Sequence, residues 1–145
     1  MTHDQILSKL PYSEPFLFVD EIIDINENGA IGTFLFRETL DFYKGHFAGN
    51  PVTPGVILTE CMAQIGLVCL GVFLLQDDVN SGLSIAMTSS EIEFLKPVYP
   101  QEQVEVRSRK KYFRFGKLKC EVEMRNGSGE LVCSGTIAGI LTQKK

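Results

Sequence analysis

Between Val56 and Leu75 the chain reads VILTECMAQIGLVCLGVFLL, a run apolar on nearly every side of the helix it would form. Such a helix has no face to offer water and must be wrapped on most sides. A membrane could do the wrapping, since the length approaches that of a spanning helix. Glu60 and Gln64 interrupt the run, however, and no cationic flanks anchor it. The expected element is therefore the central helix of a soluble protein, without membrane insertion. That helix demands a sheet large enough to enclose it.

The rest of the chain supplies one. Residues 16–25 (FLFVDEIIDI) and 30–37 (AIGTFLFR) flank the turn signal NENG. After the helix come LSIAMTSSEIEFLKPVYP, QVEVRSRKKYFR, KLKCEVEM and, past the turn NGSGE, LVCSGTIAGIL. Leu118, Cys120, Val122 and Met124 alternate strictly with charged residues, the signature of a sheet with one solvated face. A short helix is expected at 3–10. The predicted layout is a strand pair, one long buried helix, then a meander of three or four strands, an α+β arrangement.

With 145 residues the chain suits a single domain spanning 1–145, able to bury a core without disulfides or metal. Cys61 and Cys69 would stand about 12 Å apart along one helix, too far to bond. Cys120 and Cys133 could face each other across a hairpin, but free buried thiols are the expected state. No CxxC spacing points to zinc or redox chemistry. The first residues lack a basic segment followed by an apolar one, so no secretory signal is read and a cytoplasmic location is expected.

Three features around the helix start could carry chemistry. Thr53-Pro54 reads as a capping hydroxyl followed by proline at the first helical position. The amide of Gly55 would then lie in the first turn, where donors lack helical partners and can hold a developing anion. Simple capping by Thr53 and water explains the same residues. Glu60 and Gln64 are four apart and share a helix face. A carboxylate in such surroundings must be paired, protonated, at a subunit contact or in a ligand cavity. His46, in a loop stiffened by Pro51 and Pro54, is either a proton carrier near neutrality or a structural loop histidine.

The stretch GHFAGNPVTPGVILTECMAQ (45–64) resembles the core motif GHFPGxPxxPGVLxxExxAQ of the FabZ-type 3-hydroxyacyl-[acyl-carrier-protein] dehydratases. LPYSEPFLFVDEI (10–22) is similar to that family's LPHRxPFLLVDRV, and FLKPVYPQEQV (94–104) to its FKRPVxPGDxL. The resemblance implies a hotdog fold, a curled antiparallel sheet around one long helix. It implies a homodimer, or a trimer of dimers, with each active site drawn from two subunits. His46 takes the place of the catalytic histidine and Glu60 that of the catalytic carboxylate. Gly55 supplies the thioester-binding amide, and Phe47 and Gln64 join it as substrate-binding residues. Ala48 in place of proline, Tyr12-Ser13-Glu14, and Tyr99 with Gln101 depart from the family pattern; they bear on substrate range, not on reaction class.

The reaction so implied is loss of water from a 3-hydroxyacyl thioester, by acid–base catalysis without metal or organic cofactor. Thioester hydrolysis and non-catalytic acyl binding are the competing readings of the same fold. Residues 107–119 hold seven of the 14 Lys and Arg and no acid, against a net charge of −4. Arg109 and Lys111 there would steer an acidic acyl carrier protein, unless the segment is only a solvated strand face. The acidic balance does not favour nucleic acid as a partner.

Overall fold

The computed structural model describes residues 1–76 and 82–143. Helix α1 (His3–Ser8) is followed by β1 (Glu21–Asn26), β2 (Gly29–Phe36) and a 3₁₀ turn (Asp41–Lys44). The central helix comprises α2 (Gly55–Met62), a π-helical segment (Ala63–Val68) and α3 (Cys69–Leu75). Strands β3 (Leu83–Phe94), β4 (Glu102–Arg114), β5 (Lys117–Arg125) and β6 (Leu131–Gln143) complete one six-stranded antiparallel sheet in the order β1-β2-β4-β5-β6-β3.

The period-two pattern does what was expected of it: Leu118, Cys120, Val122 and Met124 are all buried, as are Ala30, Phe34 and Phe36 of β2. They close on the helix residues Ile65, Leu67, Val68, Leu70 and Val72, also buried. The helix is long and apolar enough to cross a membrane, yet 72% of its most apolar window is buried inside the protein. Helix and sheet approach closely where glycine leaves room. A methyl group at Gly71 would collide with Leu141, and one at Gly32 with Ile65. The result is the hotdog architecture.

Two expectations need correction. The first strand begins at Glu21, not at residue 16. In place of a ladder, the Phe16 carbonyl accepts from Gln64 Nε2 (3.0 Å) and the Phe18 N–H donates to Gln64 Oε1 (2.7 Å). A buried side-chain amide thus takes over the hydrogen bonds a neighbouring strand would have made. The second concerns the meander, which holds for β4-β5-β6 but not for β3. That strand pairs with β6 at the far edge, because the helix leads the chain across the concave face before β3 begins. The chain then returns beneath the helix start. Leu95 and Lys96 N–H donate to the Val132 carbonyl (2.8 and 3.1 Å), and Gln101 N–H to that of Phe36 (2.6 Å).

All four cysteines are free and buried. Cys120 pairs in register with Ile137 and Cys133 with Met124, so the two do not face each other across the β5–β6 hairpin.

Candidate active site

The 3₁₀ turn carries His46 into place. The N–H groups of Gly45 and His46 both donate to the Phe42 carbonyl (3.3 and 3.0 Å), which leads the chain out of the turn in one direction. Val52 then grips the histidine twice: its N–H donates to the His46 carbonyl (3.0 Å), and its carbonyl lies 2.9 Å from His46 Nδ1. A carbonyl oxygen only accepts, so Nδ1 carries the proton and the Nε2 lone pair is left free. The Phe47 ring stacks on the imidazole (centroids 3.9 Å apart, planes at 28°). Phe47 remains 54% exposed.

The helix start differs in detail from the sequence reading. Pro54, not Thr53, is the capping position, with φ −59° and ψ 137°, and no side chain caps the helix. The Thr53 hydroxyl is spent elsewhere, on the buried Tyr43 hydroxyl at 2.6 Å. Thr53 N–H donates to the Val98 carbonyl (2.8 Å). This clasp between residues 43 and 53 closes the base of the His46 loop. Gly55 becomes the first helical residue, so its N–H has no carbonyl one turn earlier to bond. The Phe94 ring covers the position a Gly55 side chain would need, 3.2 Å from where its Cβ would be. Sequence reasoning missed Tyr43, the Val52 carbonyl and Phe94. None of the three had a visible signal: Tyr43 stands in the mixed stretch LDFYKG, and the other two act through tertiary contacts.

Glu60 sits a turn and a half along the helix, half-buried. Burial raises its carboxyl pKa, and a hydrogen bond from Gln64 Nε2 to Oε2 (3.0 Å) opposes the rise. Burial, then the nearby Glu60 and Cys69, hold the Tyr12 hydroxyl well above the usual phenol range. Gln64 is completely buried, and its amide is committed to Phe16, Phe18 and Glu60. Within the chain its amide is spent on these three partners, the Glu60 carboxylate among them. Gln64→Met should strip partners from a buried N–H and a carbonyl together and lower stability by about 2–5 kcal/mol, read from urea unfolding. A loss under ~1 kcal/mol would show that residues 16–18 do not depend on this amide.

Among the described residues no hydrogen bond or ion pair joins His46 to Glu60 within the chain, and no three metal-ligating side chains converge. Arg109 and Lys111 lie exposed on β4, Lys111 at a break in register between Lys110 and Tyr112. Both, however, serve Glu121 on β5: Arg109 Nε donates to Glu121 Oε2 (3.1 Å), and Lys111 Nζ lies 3.8 Å from Oε1. Arg107 pairs with Glu105 (2.8 Å). The basic row is largely neutralised by its neighbours.

The sequence profile of the FabA-like domain matches residues 10–136. The chain belongs to the FabA-like family. Within this family it is 34% identical over 144 residues to the 3-hydroxyacyl-[acyl-carrier-protein] dehydratase FabZ of Rhizobium rhizogenes, covering 97% of this chain and 87% of that protein. With the FabZ of Rhizobium johnstonii it shares 35% identity, over 97% and 88%. The FabZ-type kinship suggested by the GHF motif is therefore shown. Among solved structures it resembles the dehydratase heterocomplex ApeI:P of Xenorhabdus doucetiae, with TM-score 0.79, 11% identity and coverage of 97% and 91%. It also resembles a hypothetical thioesterase with coenzyme A from Streptococcus pneumoniae, with TM-score 0.62, 16% identity and coverage of 86% and 87%. Both likenesses are of fold.

Proposed function

We propose that this FabA-like protein removes water from 3-hydroxyacyl thioesters borne on an acyl carrier protein, giving trans-2-enoyl thioesters for acyl-chain synthesis. The observation that carries this reading is the His46 ring, fixed with Nε2 free by the carbonyl of Val52, three residues ahead of a helix start whose Gly55 amide has no hydrogen-bond partner among the described residues. A base beside a donor for a carbonyl oxygen suits proton removal from C2 of a thioester. His46 Nε2 takes that proton while the Gly55 N–H holds the oxygen on which negative charge gathers. A protonated Glu60 gives its proton to the departing 3-hydroxyl, which leaves as water. Transfer of the C2 proton from His46 back to the carboxylate resets the site.

Glu60 in this scheme comes from a second copy of the chain. Supporting this, β3 is an edge strand twelve residues long with no partner on its outer side. Its inward residues Met87 and Phe94 are exposed, as is Val56 (77%), one turn before Glu60 on the same helix face. Pairing of two such edges would cover these residues and satisfy the strand, as a homodimer requires.

Product analysis tests the reaction. With a 3-hydroxyacyl-carrier substrate, mass spectrometry should show the carrier-bound acyl group lighter by one water. Release of free acid and carrier thiol would instead mean hydrolysis, the chemistry named for the streptococcal neighbour.

A further inference from the structure

The β4–β5 hairpin turns through Phe115 and Gly116, both with positive φ (53° and 76°). A two-residue turn of this kind favours Asn-Gly, because a left-handed conformation costs free energy for any residue with a bulky side chain. Phe115 accepts that cost and gains no packing in return: it is fully exposed (101%). The tip is not loose, since the Gly116 carbonyl accepts from Leu141 N–H (2.8 Å), and the Arg114 guanidinium stands 4.5 Å from the Tyr112 ring centroid. Arg114 and Lys117, the pair that closes the turn, flank Phe115 along the chain, with Lys119 two residues further on; none of the three has a carboxylate within ion-pair reach among the described residues. Arg109 and Lys111 share the one carboxylate of Glu121, whereas the cations at the tip pair with none among the described residues.

The tip is level with Ile140 of β6, which pairs with Lys117 and with Ala86 of β3. Gly55 is at the other end of β3, against Phe94. Eight residues of strand separate the two ends, roughly 26 Å. A two-fold axis that pairs the β3 edges runs them antiparallel, so the tip end of one protomer meets the Gly55 end of its partner. Crossing β5, β6 and β3 then brings the tip within roughly 15–20 Å of the partner's site.

Building on the proposed carrier-dependent dehydration at a shared site, we infer that Phe115, flanked by these cations on the hairpin, anchors an acidic acyl carrier protein and serves the active site of the partner protomer. The acidic surface supplies the attraction, and one exposed aromatic side chain, on a turn whose backbone is held, supplies the anchor.

Phe115→Asn suits the turn better than phenylalanine does, so folding should be retained or improved. On carrier-bound substrate kcat/KM should fall about 10- to 30-fold, with kcat at saturation nearly kept, as befits loss of one interface anchor. A carrier-free thioester should lose at most about a third as much. Equal losses on the two substrates, or a change of oligomeric mass in light scattering, would overturn the inference; the second would make the tip a contact between copies. Mixed dimers test which site the tip serves. When one chain carries His46→Ala, only the site using the other chain's histidine works. Adding Phe115→Asn to the His46→Ala chain should then lower kcat/KM, and adding it to the other chain should not. The reverse pattern would refute service in trans while leaving the dehydratase reading standing. A dimer giving hydrolysis products would instead sink that reading.

Discussion

His46→Ala should lower kcat by at least ~10²-fold while leaving the thermal unfolding transition nearly unchanged. The imidazole is half-buried in an exposed loop, and its one hydrogen bond is to the Val52 carbonyl. A backbone bond between Val52 and His46 (3.0 Å) and the Tyr43–Thr53 clasp hold the loop without the ring. Removing the side chain therefore takes away a base and little else. His46→Asn separates base from scaffold: it can still donate to Val52 but cannot accept a proton from carbon. It should be as inactive as alanine. Substantial activity in either variant would remove the histidine from the mechanism.

Glu60→Gln should cost at least ~10²-fold as well, because an amide cannot deliver the proton that turns hydroxide into water. The change keeps the shape of the side chain, and Gln64 can still donate to its oxygen. The pH dependence follows from burial, which raises the carboxyl pKa in the folded protein. The active form is the protonated acid, so activity tied to Glu60 persists above the ordinary carboxylate range and falls as pH climbs through the raised value. In wild type the basic limb of the kcat profile should lie above that range. In the variant the residual activity should have lost that limb. A limb unchanged in Glu60→Gln would assign it to another group.

The alternation in KLKCEVEM placed four residues in the core before any coordinates, since period two leaves no other arrangement for a strand with one wet face. The wrapped helix was legible for the same reason: nothing but a curled sheet covers so much apolar surface in so short a chain. Strand order was not legible. Nothing in LSIAMTSSEIEF distinguishes an edge beside β6 from a place beside β4, because register and neighbours are decided by the path of the helix. Residues 16–20 read as strand by composition, yet Gln64 takes up the Phe16 carbonyl and the Phe18 N–H from 48 and 46 residues away, and such long-range substitution leaves no local trace. At the candidate site, the motif singled out His46, Gly55 and Glu60. It said nothing of the Val52 carbonyl that fixes the tautomer or of the Phe94 ring over Gly55, since both are tertiary contacts. In the basic segment charge is visible along one strand only, while Glu121, which pairs with both Arg109 and Lys111, lies on the next.

The central claim is one active site built from two chains, and subunit exchange addresses it most directly. His46→Ala and Glu60→Gln proteins, each inactive alone, are mixed in equal amounts, exchanged under mild denaturant and refolded, with hybrid formation verified by differently tagged chains. Random pairing makes half the dimers hybrid, each with one intact and one doubly broken site, so activity should recover to about a quarter of the wild-type value if the interface is two-fold and shared. Verified hybrids no more active than either parent would contradict the account.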